Sequence, residues 1–343
     1  MHGVMNWSGT PRQRAWAVGF VIVMALVPLA VGKFFLSVLA LILLFAFIGI
    51  AWNLMMGYAG QLSLGHALYF GIGAYTVAVL SQTFGVSPWL AMIPAFIIPA
   101  LAGAVVGALG FRFSVKGTYF ALLTIAAAEM VRILFEHWEF VGKTGGLFYK
   151  AIGADNQALQ SLRGDAMFFY YAHLTILVIG WIAAARLVNS RLGYFWRAVR
   201  EDEDAARALG VPAFKVKLAA VTVSAGMTGV GGAWFGLMQG SLFPETVLGM
   251  RMSIDLIIAP IVGGLGTLFG PILGAFITVP LNEIARDLAQ ATWAKDFAAQ
   301  IGLHGIAGVH FLIYGVLLGV IIVFAPHGLW PRLAKLLGLD GRR

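Results

Sequence analysis

The residues of this chain that can do chemistry are few, and their spacing excludes more than it offers. Gly142-Lys143-Thr144 is the nearest approach to a phosphate-cradling loop, but the upstream position that requires glycine is His137. The chain therefore does not bind and hydrolyse ATP itself. Its seven histidines form no H-E-x-x-H and no helical pair, which leaves no metal site. The absence of cysteine removes disulfides and thiolate ligands. Glu129 and Arg132 stand i,i+3 within an apolar run, where they neutralise each other as a structural pair more readily than they serve as a functional ionisable site. No nucleophile–base pair is present, so catalytic, cofactor and metal residues are all expected to be none.

What remains is a set of polar residues among glycines. In NLMMGYAGQLSLGHALYFGIGAY, from Asn53, the side chains of Gln61, Ser63 and His66 lie between Gly57, Gly60, Gly65, Gly71 and Gly73. In VGGLGTLFGPILGAF, from Val262, Gly263, Gly264, Gly266, Thr267, Gly270 and Pro271 interrupt a second apolar run. Glycine costs about 1 kcal/mol against alanine within a helix, and bare polar groups in hydrocarbon cost more. Each stretch predicts a broken helix whose unwound backbone meets protein or a water-filled path. Close helix packing through small residues is the competing reading, evenly matched for Gly71 and Gly73. Paired interruptions, one in each half of a chain, point to a solute path between two repeats, here beside Gln61, Ser63 and His66 on one side and Gly264, Gly266 and Thr267 on the other. Identity between the two stretches is too low to establish a duplication.

The elements that hold these residues are set by composition. Hydrophobic residues make up 60% of the 343 positions and charged residues 11%, against about 25% charged in soluble domains. An apolar run of about 20 residues spans a bilayer core as a helix, whereas a barrel strand would alternate. The runs at 15–31, 34–56, 67–81, 88–110, 118–135, 166–188, 216–239, 253–265, 269–284 and 310–326 predict an all-α, polytopic transmembrane bundle of about ten spans with interrupted helices, forming one permease-like domain over 1–343. The runs at 253–265 and 269–284 are short, so a re-entrant hairpin is an alternative to two crossings. The first run reads as a retained anchor rather than a signal peptide.

Charge orients the bundle. Of the 23 Lys and Arg residues, fifteen fall on one side, in loops that include Arg12, Arg112, Lys116, Arg186–Lys217 and Arg332–Arg343. Seven fall opposite (Lys33, Lys143, Lys150, Arg163, Arg251, Arg286 and Lys295), with Arg132 inside a span. The positive-inside rule puts both termini and the loop at 190–217 in the cytoplasm, and a loop at about 136–165 outside. The net charge of +8 is then a topology signal, and no nucleic-acid partner is expected. The sequon at Asn6 falls on the cytoplasmic side and is discounted.

The cytoplasmic loop SRLGYFWRAVREDEDAARALGVPAFKVK predicts one amphipathic helix over 194–209, with Gly210 just past its end and Pro212 beyond. A solvated connector would suffice for a loop, but an alanine-rich face flanked by charge suits a groove in another protein.

REDEDAARALGVP resembles the coupling-helix signature of bacterial ATP-binding-cassette importer permeases, and more narrowly the branched-chain amino-acid permease family of the LivM type. GTYFALLTIAAAEMVR, SIDLIIAPIVGGLGTLFGPILGA and the first glycine-rich stretch fit the same family, in order, from about Asn53 to Ala275. The resemblance implies a permease subunit in the bacterial inner membrane, working with a second homologous permease subunit, two cytoplasmic ATP-binding subunits and a periplasmic or lipid-anchored solute-binding protein. It implies that Arg200, Glu201, Ala205, Ala206 and Gly210 belong to the helix that docks on the ATPase. Leu147-Phe148-Tyr149 departs from the family, which often has a small polar residue and glycine after Thr144-Gly145-Gly146. Urea or short amides are alternative solutes. A stand-alone secondary transporter is an alternative mechanism, although it would want several unpaired mid-span carboxylates.

Overall fold

The computed structural model describes residues 11–149, 162, 164–292 and 306–338. Asn6, Lys150, Arg163, Lys295, Arg342 and Arg343 lie outside the described residues.

Each expected apolar run is a helix. In order these are α1 (Pro11–Leu26), α2 (Lys33–Asn53), α3 (Ala67–Thr83), α4 (Pro88–Arg112), α5 (Thr118–His137), α6 (Ala166–Val188), the short α7 (Arg191–Glu201) and α8 (Glu203–Ala208), then α9 (Ala213–Gln239), α10 (Pro244–Leu248), α11 (Met250–Gly263), α12 (Gly270–Gln290), α13 (Ile306–Phe324) and α14 (Trp330–Leu336). Local chemistry sets several of the boundaries. Proline occupies the first turn of α4 and α10, where its missing N–H costs nothing. Asp165 caps α6 by accepting from the Phe168 N–H at 3.0 Å.

Six segments among the described residues are long and apolar enough to cross a membrane: Lys33–Tyr58, Pro88–Arg112, Thr118–His137, Ala166–Val188, Ala213–Gln239 and Pro244–Gly263. Two apolar helical stretches are shorter: Ala15–Leu29, which runs from α1 into the 3-10 turn after it, and Val309–Ile321 within α13. Helix α3 has 17 residues because it starts inside the bundle, its Ala67 N–H donating to Ser253 Oγ at 2.9 Å.

The long helix α9 packs against α2, α3 and α4, while α2 also packs on α6 and α12, and α12 packs on α11 and α13. Small residues permit the closest approaches. A Cβ added to Gly73 would lie 2.0 Å from the Gly229 carbonyl oxygen, and one added to Gly232 would lie 1.9 Å from the Phe70 carbonyl. Gly71 meets Leu248 at 2.3 Å in the same sense. Both Gly71 and Gly73 lie within unbroken α3, so they serve packing rather than interruption.

At the end of the bundle remote from α7 and α8, β1 (Leu147–Phe148) pairs antiparallel with β2 (Ser241–Leu242). The Tyr149 N–H continues the clasp to the Gly240 carbonyl at 3.0 Å. Leu147-Phe148-Tyr149, the departure from the family pattern, thus ties the loop after α5 to the exit of α9.

Candidate functional site

The first interruption begins where α2 widens into a π-turn, Leu54–Tyr58, and then leaves helical geometry until Ala67. Gly60 takes a left-handed conformation (φ +69°), which glycine adopts without strain. Side chains satisfy the freed backbone groups. Thr124 Oγ1 accepts from the N–H groups of Leu64 at 3.1 Å and Gly65 at 3.3 Å. Trp52 Nε1 donates to the Ser63 carbonyl at 2.9 Å. His66 is enclosed, with Nδ1 3.1 Å from Ser63 Oγ and Nε2 3.0 Å from Ser224 Oγ on α9. One ring nitrogen donates and the other accepts.

The second interruption is the turn between α11 and α12. Gly264 ends α11 and Gly266 has φ +72°. The Thr267 hydroxyl donates to the Gly264 carbonyl at 2.8 Å and accepts from the Gly270 N–H at 3.0 Å, closing the turn. The C-terminal segment packs over it: the Leu329 N–H donates to the Val262 carbonyl at 3.0 Å, and Trp330 stacks on Phe269 with ring centroids 5.0 Å apart.

The two interruptions meet. Asn53, 2% exposed, donates from Nδ2 to the Thr267 carbonyl at 2.8 Å, and its Oδ1 accepts from the Gly266 N–H at 2.9 Å. One amide side chain at the end of α2 therefore bridges to the second turn with both its polar atoms. Gly57 completes the fit, since a Cβ there would lie 2.0 Å from Asn53 Oδ1 and 2.6 Å from the Gly266 nitrogen. The Arg200 guanidinium reaches the same point from α7, donating through Nη1 to the Gly57 carbonyl.

Helices α7 and α8, joined through one extended residue at Asp202, form a short hairpin rather than the single helix expected over 194–209. The chain turns at Asp202, whose carboxylate caps α8 by accepting from the N–H groups of Asp204 and Ala205, both at 2.9 Å. That cap supplies acceptors for two orphan donors, which outweighs continuing a helix through a run of acidic residues. The hairpin is anchored from below. Fully buried Trp196 donates to the Val216 carbonyl at 2.8 Å, and Lys217 Nζ donates to Glu203 Oε1 at 2.8 Å. Burial raises the Glu203 pKa, but Lys217, Arg207 and Lys116 outweigh it and hold the carboxyl below the usual range.

The expected docking residues divide. Glu201, Ala205 and Gly210 are exposed, with Gly210 left-handed (φ +86°) just past α8 as expected. Ala206 is 3% exposed and belongs to the hairpin's packed underside. Arg200 faces the first interruption rather than outward alone. Leu209, the apolar residue that closes the expected helix, is 86% exposed just past the end of α8. Among the expected path residues, Ser63 and His66 are fully buried, while Gln61, Gly266 and Thr267 are half-buried and Gly264 is buried.

Sequence reasoning passed over Asn53, Thr124, Ser224 and Ser253, although a polar side chain at membrane depth needs a partner. It also passed over Asp255, an ionisable residue inside an expected span. The Glu129–Arg132 pair forms as expected and extends to Glu136.

Apolar helices broken at two places, with the breaks joined through Asn53 and the first held by Arg200 of the hairpin, fit a membrane transport component. Residues 34–325 match the family described as branched-chain amino acid transport system, permease component, and the chain belongs to that family. It is 28% identical to the high-affinity branched-chain amino acid transport system permease protein LivM of Escherichia coli K12, across 94% of this chain and 76% of that protein. It is 24% identical to the probable branched-chain amino acid transport permease protein LivH of Methanocaldococcus jannaschii, across 78% and 84%. A more partial likeness, 28% across 48% and 47%, is to the autoinducer 2 import system permease protein LsrC of Yersinia pseudotuberculosis serotype O:1b. No solved structure matches.

Proposed function

We propose that this chain is the membrane-spanning permease subunit of an ATP-binding-cassette importer for branched-chain amino acids, with ATP bound and hydrolysed in partner chains. The observation that carries the reading is the hairpin of α7 and α8. It offers Glu201, Ala205 and Leu209 outward while Arg200 holds the backbone of the first interruption from within. A partner that pushes on that outward face thus acts on the first broken helix directly.

In this reading the complex contains a second homologous permease subunit, two ATP-binding subunits and a solute-binding protein. The chain crosses the inner membrane about ten times, with both termini and the hairpin in the cytoplasm. The solute passes beside the two interruptions, with Gln61 at the surface of the path and Gly264, Gly266 and Thr267 opposite, and Ser63 and His66 form the fixed wall behind Gln61. The likeness to an autoinducer 2 permease keeps other solutes in the test. Purified complex with its binding protein is assayed in proteoliposomes against labelled leucine, isoleucine, valine, urea and a short amide. ATP-dependent uptake of the branched-chain amino acids supports the proposal. Uptake of urea or the amide alone replaces the substrate, and uptake without any ATPase subunit sinks the mechanism. A cysteine at Ala205 labelled by an impermeant reagent in intact cells would reverse the orientation.

A further inference from the structure

Away from the junction, a cavity of about 640 Å³ opens between α2, α5 and the helices α9 to α13. It lies toward the opposite end of the bundle. Gln239 on its wall ends α9, whose start adjoins the hairpin, and Met250 on its wall begins α11, whose end enters the second interruption. Its volume falls within the range of roughly 300–1,000 Å³ typical of small-molecule sites.

The wall carries charge from α5, α11 and α12, and an ionisable residue beside such apolar helices calls for a partner. Most of that charge is engaged. Arg132 pairs with Glu129 and Glu136, and Arg286 pairs with Glu283 at 3.1 Å. Arg251 and Asp255 differ. They stand i,i+4 on one face of α11, 3.8 Å apart, too far for a hydrogen bond. No donor reaches the Asp255 carboxylate among the described residues, and the Arg251 guanidinium lies over the Phe311 ring, 4.1 Å from its centroid. A loosely joined cation and anion can each take the opposite charge of a guest without breaking a strong bond. Beside them, Leu41, Phe45, Phe235 and Met252 supply an apolar wall.

We propose that this cavity is a subsite for a zwitterionic α-amino acid with an aliphatic side chain: Asp255 takes the ammonium, Arg251 takes the carboxylate, and Leu41, Phe45 and Phe235 take the side chain. The inference rests on the reading of the chain as a branched-chain amino-acid permease.

The test uses the complete transporter with its binding protein in proteoliposomes. Asp255→Asn and Arg251→Gln are each expected to lower leucine uptake at least tenfold. The amount of assembled complex and the stimulation of ATP hydrolysis by the loaded binding protein stay unchanged. Asp255→Glu, which keeps the charge, is expected to retain more than a third of wild-type uptake. Uptake within twofold of wild type for both neutralising variants overturns the subsite. Loss of assembly in both assigns the pair to packing between subunits and overturns it equally. Wild-type complex that moves no branched-chain amino acid removes the functional reading and the subsite together, whereas wild-type uptake that the variants leave intact removes only the subsite.

Discussion

The inner junction and the outer cavity both place polar groups inside a membrane protein, yet they treat them in opposite ways. At the junction, Asn53, Ser63, Thr124, Ser224 and Ser253 each have a partner within the chain, at distances between 2.8 and 3.3 Å. Tyr58 departs from this pattern, its hydroxyl buried with no hydrogen-bond partner among the described residues. In the cavity, Arg251 and Asp255 remain 3.8 Å apart, Arg251 half exposed and Asp255 mostly buried. A satisfied, enclosed network holds one geometry, because any displacement strands a buried donor or acceptor at about 1–3 kcal/mol each. A loose pair beside a void can exchange partners. The first arrangement suits the transmission of force, and the second suits a guest.

The comparison breaks most severely at Gly57. Gly57→Leu drives a side chain into Asn53 and the Gly266 backbone, so no assembled complex is expected in detergent extracts. The same bulk added in the cavity by Thr246→Leu, at an exposed wall residue, leaves assembly at wild-type levels. Equal damage from the two substitutions would erase the distinction. Asn53→Ala is expected to cost about 2–4 kcal/mol, since it leaves the Gly266 N–H and the Thr267 carbonyl without partners. Thermal unfolding of the purified complex measures it, and an unchanged midpoint would show that water replaces the amide.

Leu209→Asp probes the outer side of the hairpin. Stability should stay within about 0.5 kcal/mol, as for exposed positions generally, while the ATPase retained on purification falls severalfold. Full retention would move the docking face elsewhere. The smallest effect expected is one of pH. Glu203 titrates below the ordinary carboxylate range in the folded protein, so its contribution is complete above that range and is lost as pH falls through its lowered value. Proteolysis of the hairpin should therefore rise in acid for wild type, and Glu203→Gln should flatten that dependence.

The helices were legible in the sequence because lipid imposes a length and an apolarity that no tertiary contact needs to confirm. Both interruptions were legible for the same reason: glycines and polar side chains cost too much there to lack a cause. What the sequence hid was direction. His66 read as a path residue, but nothing local reveals that Ser224, 158 positions away, meets its ring. Asp202 read as one charge in an acidic run, yet it caps α8, on which Ala206 is buried. Asp255 stood in plain view within a span and was passed over, because a single carboxylate there does not show what it faces. The loose geometry of that pair comes from the fold.

The crossing of α3 and α9 has a mechanical side. With Gly73 seated on Gly229 and Phe70 on Gly232, the two backbones mesh like gear teeth and cannot slip past one another without first separating. His66 at the head of α3 is latched to Ser224 on α9 as well. The 27 residues of α9 make a strut about 40 Å long that starts beside the hairpin and ends at Gln239 on the cavity wall. A stroke delivered at one end of such a strut arrives at the other with little lost to slack.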